Sequence, residues 1–430
     1  MFCQLNEEEG SRKCALDGQR TALFYRPGVE ASSKWAKRNF VSDERREVEK
    51  LLDPGEALSA VSLVKRHYEL QNGHFPSTAE IALMNLIGFD EKKWEAAYKS
   101  YFIGDVDYQL FYEENLTKKS LKKQGIGIKT TATLDTIINE FRELAGNNLT
   151  KYYALLLFDG DDFGKLWSGA RLREEVSLME FQKKLAEQLH KYAEKARDCL
   201  AKPKGQVVYT GGDDFLGFVN LNFLFEVLAE LRKTFDEIVS EPLREYLVEG
   251  KRITFTAGIA IAHYKTPLGE VLKKARAVEK QAKELRSEKD AYGIAVMKHS
   301  GETREGFLPF NGSEKTDTLN ALMSVVNELK DPKGVSNMFI NAFAREMHLL
   351  MDKNGLVNGI KDQTLSTELG RLLSRSAKTT GKEKEKKVNA CLEVVEALRI
   401  AGVNARGMQN FLSLLDICDF FKRETSKDQL

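Results

Sequence analysis

The sequence predicts an α+β fold, in which a sheet with antiparallel neighbours lies between a mixed, partly helical N-terminal region and a helical C-terminal region. Two observations lead to this prediction. Short apolar runs typical of strands alternate with amphipathic segments between residues 149 and 305. From about residue 316 onward, only apolar spacings of three and four residues recur. We therefore divide the chain into residues 1–148, 149–305 and 306–430.

The composition is that of a globular protein with a sizeable core. Hydrophobic residues make up 42% and charged residues 30% of the 430 residues. With 65 basic and 64 acidic residues, the net charge of +1 argues against a protein that coats nucleic acid over its whole surface, and leaves room for a local basic groove. No apolar stretch approaches the roughly 18 residues of a membrane span. The polar N-terminus and five scattered cysteines favour a cytoplasmic location.

The middle region has the order strand, helix, hairpin, helix, strand, helix, strand. Its first strand is the apolar run 152–158, which is too short for a buried helix and is bounded by the sequence DGDD. The next two strands, 206–210 and 215–219, flank the turn Gly211-Gly212-Asp213-Asp214, which is a hairpin signal. The other predicted elements are helices at 180–200, 221–239 and 268–285 and strands at 252–262 and 292–297.

The flanking regions are mainly helical. Apolar residues recur at helical spacing over 43–52 and 57–70, and Ser77 or Thr78 is a candidate N-cap. A lysine-rich run from 118 to 131 predicts an exposed basic loop. The C-terminal region predicts helices at 319–329, 336–351, 365–375, 387–400 and 406–421.

Two acidic motifs stand at predicted strand ends. Asp159 and Asp161 follow the first strand, and Asp213 and Asp214 lie in the hairpin turn. The motifs are 213 − 159 = 54 residues apart, which is room for one helix between neighbouring strands. If those strands pair, the carboxylates converge and repel one another, so without a cation at least one would have to bind a proton. Hard oxygen ligands favour Mg²⁺ or Mn²⁺, and we expect these four residues to bind metal.

A metal site of this kind predicts phosphoryl chemistry. Two divalent ions about 4 Å apart activate a 3′-hydroxyl and stabilise a leaving pyrophosphate in one displacement. Asp159, Asp213 and Asp214 are then the predicted catalytic residues of a nucleotidyltransferase. Either motif alone is more often a surface turn or a plain hairpin, but their occurrence together at strand ends favours the functional interpretation.

Five further residues are candidates for nucleotide binding. Gly211 and Gly212 permit positive φ angles and a close approach of phosphate to the backbone. Gly164 leaves space for a triphosphate, and Lys165 follows it. Lys283, on the helix after the fourth predicted strand, either reaches a terminal phosphate or is a solvated side chain.

Two residues beyond the fourth strand are candidates for lining the same cleft. His263 and Lys265 lie in the sequence HYKTP just past that strand. We expect a structural or solvent-exposed role for both.

The pair DGDDFG and GGDD resembles the cyclase-like palm, a ferredoxin-like fold shared by GGDEF-type nucleotide cyclases and the large subunit of type III CRISPR effector complexes. Further stretches resemble the large subunit of the Cmr type: GEALSAVSLVKRHY (55–68), FPSTAEIAL (75–83), YYALLLFDGDDFGK (152–165), VVYTGGDDFLGFV (207–219), TAGIAIAHYKTPLGEVLKKAR (256–276) and AVMKHSGE (295–302).

The resemblance implies synthesis of a signalling nucleotide from ATP, usually a cyclic oligoadenylate, on binding of target RNA. It implies Mg²⁺ or Mn²⁺ at Asp159, Asp213 and Asp214 with Asp161 in support, and phosphate binding by Lys283. It also implies guide RNA, target RNA and the other subunits of the complex as partners, and no membrane.

The chain departs from the family's pattern in three ways. No histidine is followed by aspartate, so we expect no HD nuclease. The positions of the family's two CxxC pairs hold Cys14, Asp17, Ser59 and Ser62, so we expect no zinc, which requires about four N or S ligands. The family usually has another palm before this module, so we expect a second palm from a homodimer or a partner chain.

Three alternatives remain open. The chain is a non-catalytic scaffold subunit with a vestigial palm, it makes an AMP conjugate of S-adenosylmethionine, or it is a diguanylate cyclase. The clustered acids disfavour a scaffold, which has no need of mutually repelling carboxylates. The turn ends in Asp rather than Glu, which disfavours the diguanylate cyclase.

Overall fold

The computed structural model describes residues 12–15, 18, 20–26, 52, 55–67, 75–88, 90–124, 126–129, 132–146, 149–312, 317–352, 357 and 360–425. They belong to two compact units, residues 1–75 and residues 76–430. None of the described helices is long and apolar enough to cross a membrane.

The first unit has a small core around one strand pair. Strand β1 (Phe24–Tyr25) pairs antiparallel with β2 (Ala57–Leu58), and helix α1 (Ala60–His67) follows. The helix predicted over 57–70 therefore begins three residues later than expected, and residues 68–70 lie outside the described residues. Of the helix predicted over 43–52, only Leu52 is described, and it packs in this core.

Three of the four positions that resemble a zinc module meet in the first unit. The buried Cys14 thiol donates to Ser62 Oγ at 3.3 Å, and Ser59 Oγ donates to Ser62 Oγ at 3.0 Å. Asp17 lies outside the described residues. Where they are described, these positions form a small hydrogen-bonded cluster of one thiol and two hydroxyls.

The second unit is built on a six-stranded sheet, which confirms the α+β prediction. The strand order is β4-β5-β3-β6-β7-β8, and every neighbouring pair is antiparallel except β6 and β7. The strands are β3 (Tyr152–Gly160), β4 (Gly205–Gly211), β5 (Asp214–Asn220), β6 (Phe255–His263), β7 (Ala291–Met297) and β8 (Thr303–Pro309).

The last strand was missed in the sequence. Strand β8 mixes charged and small residues in the run TREGFLP, so it lacks a clear apolar alternation. It pairs with β7 along its whole length. The predicted boundary between residues 305 and 306 therefore falls inside a strand of the sheet.

Helices cover both faces of the sheet. The side chains of β3 are therefore buried on both sides. Tyr153, Leu155 and Leu157 belong to one core, and Ala154, Leu156 and Phe158 to the other. The first core is shared with helices α2 (Thr78–Ile87), α3 (Glu91–Tyr101), α4 (Lys118–Gln124), α5 (Leu134–Ala145) and α10 (Leu268–Lys283). Two short 3₁₀ turns, Tyr108–Phe111 and Glu113–Asn115, lie between α3 and α4.

The helix α4 corrects a prediction. Residues 118–124 are helical, whereas the lysine-rich run predicted an exposed loop. Leu121 on this helix is buried in the same core. One apolar anchor is enough to dock a short basic helix, because lysine side chains extend along the surface into water.

The second core contains the C-terminal helices and the helices between β3 and β6. Their apolar faces share it with β3, β5 and β6. These helices are α6 (Phe163–Trp167), α7 (Leu178–Cys199), α8 (Leu224–Phe235), α9 (Glu241–Leu243), α11 (Thr318–Lys330), α12 (Met338–Leu350), α13 (Asp362–Ser376) and α14 (Gly381–Glu424). The helices predicted over 387–400 and 406–421 are both parts of α14, which breaks at Arg406 and Gly407, where φ of Gly407 is +78°.

Helix α10 packs directly against two glycines of the sheet. A Cβ atom on Gly258 of β6 would stand 2.2 Å from the carbonyl oxygen of Ala275 and 2.5 Å from Cβ of Glu279. On the neighbouring strand, a Cβ on Gly293 would stand 2.8 Å from the carbonyl oxygen of Val278. Any side chain at these positions would push α10 away from β6 and β7.

We predict that Gly258→Ala destabilises the protein by about 1–3 kcal/mol, the usual cost of overpacking, because the methyl group would collide with backbone atoms. Urea denaturation measures the free energy of unfolding. Gly269→Ala is the matched control, because Gly269 lies on α10 itself and a Cβ there has no atom within 4 Å. A Gly258→Ala variant as stable as this control would contradict the close approach.

Candidate metal and nucleotide site

Three polar residues stand side by side at one end of the sheet. In the register of the central strands, Asp159 of β3 lies directly opposite Asp214 of β5 and Thr256 of β6. Side chains of directly opposed residues share one face and have Cβ atoms about 4.5–5.5 Å apart. The predicted convergence of the two acidic motifs is therefore a consequence of strand register.

The hairpin between β4 and β5 is tighter than the four-residue turn predicted from the sequence. Gly211 pairs with Asp214, so only Gly212 and Asp213 connect the strands. Gly212 has φ of +57°, at the first central position, where two-residue hairpins with a positive φ favour glycine. Gly211 does not have a positive φ, contrary to expectation. A Cβ at Gly211 would instead stand 2.6 Å from Tyr209 Oη.

Asp213 is held against the end of β3. Its carbonyl oxygen accepts a hydrogen bond from the Gly160 amide at 2.9 Å, and a Cβ on Gly160 would lie 2.9 Å from Asp213 Cβ. Burial raises the pKa of the Asp213 carboxyl, and the charges of Asp159 and Asp214 raise it further. The neighbouring carboxylates therefore disfavour the ionised form of Asp213.

Lys283 provides the compensating charge. Its ammonium group contacts Asp159 Oδ2, and it lies 2.6 Å from Glu279 Oε1 one turn earlier on α10. Burial disfavours the charged form of Lys283, but hydrogen bonds to Asp159 and Glu279 outweigh this and raise its pKa. Of the two sequence-based interpretations of Lys283, the structure supports a place in the site and not a solvated side chain.

Asp161 has a different environment from its neighbours. It is 2% exposed, and its carboxylate accepts hydrogen bonds from Thr254 Oγ1 at 2.8 Å, Thr256 Oγ1 at 2.8 Å and the Asp290 amide at 3.0 Å. Burial raises the pKa of Asp161, although these hydrogen bonds act to lower it. These hydrogen bonds join Asp161 to Thr254, to Thr256 of β6 and to Asp290 just before β7, and they favour a structural role. The expected role of Asp161 as a metal ligand stays a prediction.

Asp162, the next residue, forms a cluster of ion pairs that the sequence does not predict. Asp162 has φ of +57° and contacts the Arg171 guanidinium; Lys289 Nζ lies at 2.7 Å and Lys165 Nζ at 3.5 Å. Burial acts to raise the pKa of Asp162, but the hydrogen bond from Lys289 and the charge of Arg171 lower it overall. Lys165 and Arg171 lie close to Asp162 in the sequence, whereas Lys289 lies 127 residues away and could not be predicted as its partner.

Two glycines leave open space beside the carboxylates. A Cβ placed on Gly164 or on Gly212 would have no atom within 4 Å. Lys165 is exposed next to Gly164. Among the described residues, no atom would crowd either turn at these two positions.

His263 and Lys265 lie at the opposite end of the sheet. His263 pairs with Tyr152, which is 159 − 152 = 7 residues from Asp159, or about 23 Å along the strand. His263 is buried, and Lys265 Nζ donates to Asn115 Oδ1 at 2.6 Å. The expected structural role of His263 agrees with this position.

The donor set fits a hard divalent cation that is held by few protein ligands. Among the described residues there is no group of three or more His, Cys, Asp and Glu side chains arranged as a metal cage. Mg²⁺ is usually bound by one or two carboxylates together with water and substrate phosphates. Asp159 and Asp213 are neighbouring carboxylates that would serve as such a pair, and Asp159 already contacts one cation, the ammonium of Lys283.

Comparison with known proteins identifies the region that carries the site. Residues 152–293 match the family model of the Cas10/Cmr2 second palm domain. The chain carries a Cas10/Cmr2 palm domain. The matched residues include β3 to β6, α10 and the first residues of β7. They therefore include Asp159, Asp213, Asp214 and Lys283.

The similarity extends beyond the palm. The chain is 27% identical to the Cmr2 subunit of the CRISPR system Cmr from Pyrococcus furiosus, over 85% of this chain and 46% of that protein. A chain of the type III-B Cmr-beta complex bound to cognate target RNA has a TM-score of 0.53 at 15% identity, over 93% of this chain and 58% of that one. This likeness shows the fold. The chain thus spans about half the length of the relatives it matches.

We predict that Asp161→Ala unfolds the palm more easily without removing a metal ligand. The change would leave three buried donors unpaired, at about 1–3 kcal/mol each. Chemical denaturation should show a loss of at least about 2 kcal/mol. Mn²⁺ binding by the folded variant, measured by electron paramagnetic resonance, should keep its stoichiometry. A loss of Mn²⁺ binding without a loss of stability would show that Asp161 is a metal ligand.

The buried His263 leads to a prediction about how the stability of the protein depends on pH. Burial, and then the charge of His299, lower the pKa of His263 from 6.5 to about 4. Because the unfolded chain takes up this proton near pH 6.5 and the folded chain does not, stability present above pH 6.5 is lost as the pH falls toward 4.

The free energy of unfolding of His263→Asn should therefore fall less steeply than that of the parent between pH 6.5 and 4. Denaturation at a series of pH values measures the two slopes. His190→Asn, at an exposed position on α7, is the control and should keep the parent slope. Identical slopes for all three proteins would contradict the buried neutral imidazole.

Proposed function

We propose that this chain supplies the nucleotidyltransferase centre of a type III CRISPR effector complex and makes a cyclic oligoadenylate from ATP when target RNA binds. The observation that supports this most directly is the pairing of Asp159 with Asp214 across two neighbouring strands, with Asp213 beside them and Lys283 bound to Asp159. A scaffold gains nothing from mutually repelling carboxylates, which cost stability unless a cation offsets them.

The palm's own residues have distinct roles in this proposal. Asp159, Asp213 and Asp214 hold Mg²⁺ or Mn²⁺, and two such ions supply activation of a 3′-hydroxyl and stabilisation of the leaving pyrophosphate. Lys283 neutralises phosphate charge. Asp161 acts through the backbone, because its hydrogen bonds to Thr254, Thr256 and the Asp290 amide fix the turn that follows Asp159.

The nucleotide occupies the open side of the site. Gly164, Gly211 and Gly212 line the two turns, and the open space over Gly164 and Gly212 admits phosphate oxygens close to the backbone. Lys165, exposed beside Gly164, adds positive charge there.

The chain works with partners in this proposal. Guide RNA and target RNA reach it through the other subunits of the complex, in keeping with its likeness to a Cmr-beta chain and to a Cmr2 subunit.

The proposal predicts that Asp213→Asn in the assembled complex lowers the rate of ATP turnover at least about 100-fold, since metal-held charge stabilisation contributes several kcal/mol and each 1.36 kcal/mol is tenfold. Labelled ATP with Mg²⁺, with and without target RNA, measures the rate. Asp198→Asn is the control, because Asp198 is an exposed acid at the end of α7 and pairs with Lys195.

Mass spectrometry of the product distinguishes the remaining possibilities. Cyclic products from ATP alone support the proposal, and an adduct that requires S-adenosylmethionine identifies the conjugate instead. Turnover of GTP would indicate a diguanylate cyclase. No turnover in any assembled complex would identify the chain as a scaffold.

A further inference from the structure

Glu279 belongs to none of the motifs in the sequence, yet it takes part in the site. It lies one helical turn before Lys283 on α10, and its Oε1 is 2.6 Å from Lys283 Nζ. The same ammonium contacts Asp159. The side chain of Glu279 is 14% exposed and that of Lys283 is 22% exposed, whereas Asp159 is 48% exposed. Lys283 therefore connects a protected carboxylate on the helix with an open carboxylate on the sheet.

The position of Glu279 depends on the close packing of α10. Gly258 lies directly beneath it, and a Cβ there would be 2.5 Å from Glu279 Cβ and 2.8 Å from its backbone nitrogen. Burial raises the pKa of Glu279, although its contact with Lys283 acts to lower it. A largely buried ion pair has a desolvation cost that offsets much of its attraction, so stability alone does not account for the Glu279–Lys283 pair.

We infer that Glu279 is a positioning residue that retains Lys283 in the site when Asp159 binds a divalent ion. This inference rests on the proposed function. The ammonium of Lys283 and a metal ion compete for Asp159, because both are cations that require the same carboxylate oxygens. With a divalent ion on Asp159, Glu279 would be the carboxylate that still holds Lys283, and the ammonium would stay in the site, available to phosphate.

The chemistry of lysine explains why a second anchor is needed. Its ammonium has three rotatable donors on a flexible four-carbon stem, so a lysine without a fixed partner loses its orientation. With Glu279 present, Lys283 moves only from a shared position to the Glu279 side. Without it, the ammonium remains on Asp159 and excludes the metal.

The test measures Mn²⁺ binding by electron paramagnetic resonance on the full chain without nucleotide, so it does not depend on activity. Glu279→Gln removes the second anchor and leaves Lys283 to Asp159, so the affinity for Mn²⁺ should fall roughly threefold or more, the scale of coupling between contacting residues. Lys283→Met removes the competing cation, so the affinity should rise. In the Lys283→Met background, Glu279→Gln should have a much smaller effect.

A matched control separates position from charge. Glu284→Gln removes the same charge from an exposed residue at the end of the same helix and should leave Mn²⁺ affinity unchanged. In the assembled complex, excess Mn²⁺ should restore the kcat of Glu279→Gln but not that of Asp159→Asn. The KM for ATP of Glu279→Gln should stay raised, because Lys283 is no longer held toward the phosphates.

The outcomes distinguish the two ideas. If Glu279→Gln has equal effects in the parent and in the Lys283→Met variant, or no effect in either, the positioning role is overturned, since Glu279 would then act only through its general charge or not at all. If Asp159→Asn leaves Mn²⁺ binding unchanged, the proposed metal site itself fails. Circular dichroism of each variant confirms that it is folded, and the rise in affinity expected for Lys283→Met tests the competition independently of Glu279.

Discussion

The repulsion between carboxylates at one end of the central sheet is the constraint on which the site depends. The antiparallel register of β3 and β5 places Asp159 opposite Asp214, and the two-residue hairpin holds Asp213 against Gly160. The backbone ladder therefore fixes the positions from which these side chains extend. The ammonium of Lys283, a residue of α10, contacts Asp159 and offsets this repulsion.

That compensation in turn depends on how closely α10 approaches the sheet. Gly258 and Gly293 provide the space, because a side chain on either would meet the helix backbone. The same approach buries Glu279 and brings it to Lys283. The packing of α10 against β6 and β7 thus determines the charge arrangement of the site. A substitution that disturbs this packing would also disturb the contacts of Lys283 and Glu279.

The acids of the sequence DGDD have three different roles, although they look alike in the chain. Asp159 is half exposed and faces the other carboxylates, Asp161 joins β3 to β6 through buried hydrogen bonds, and Asp162 forms ion pairs with Arg171 and Lys289. The alternation of side chains ends with the strand at Gly160, so the residues after it follow the turn rather than the pleat. Strand periodicity could not assign their roles.

The sequence by itself determined the α+β class, five of the six strands of the sheet and the meeting of the two acidic motifs. Each follows from local information: continuous apolar runs, a glycine-containing hairpin turn and acids at strand ends. Only the tertiary structure revealed β8, whose mixed residues are stabilised by pairing with β7, and the helix at residues 118–124, which one buried leucine docks. It also decided the partners of Asp161, Asp162 and Lys283, because hydrogen bonds and ion pairs between residues distant in the chain depend on distances that no local pattern encodes.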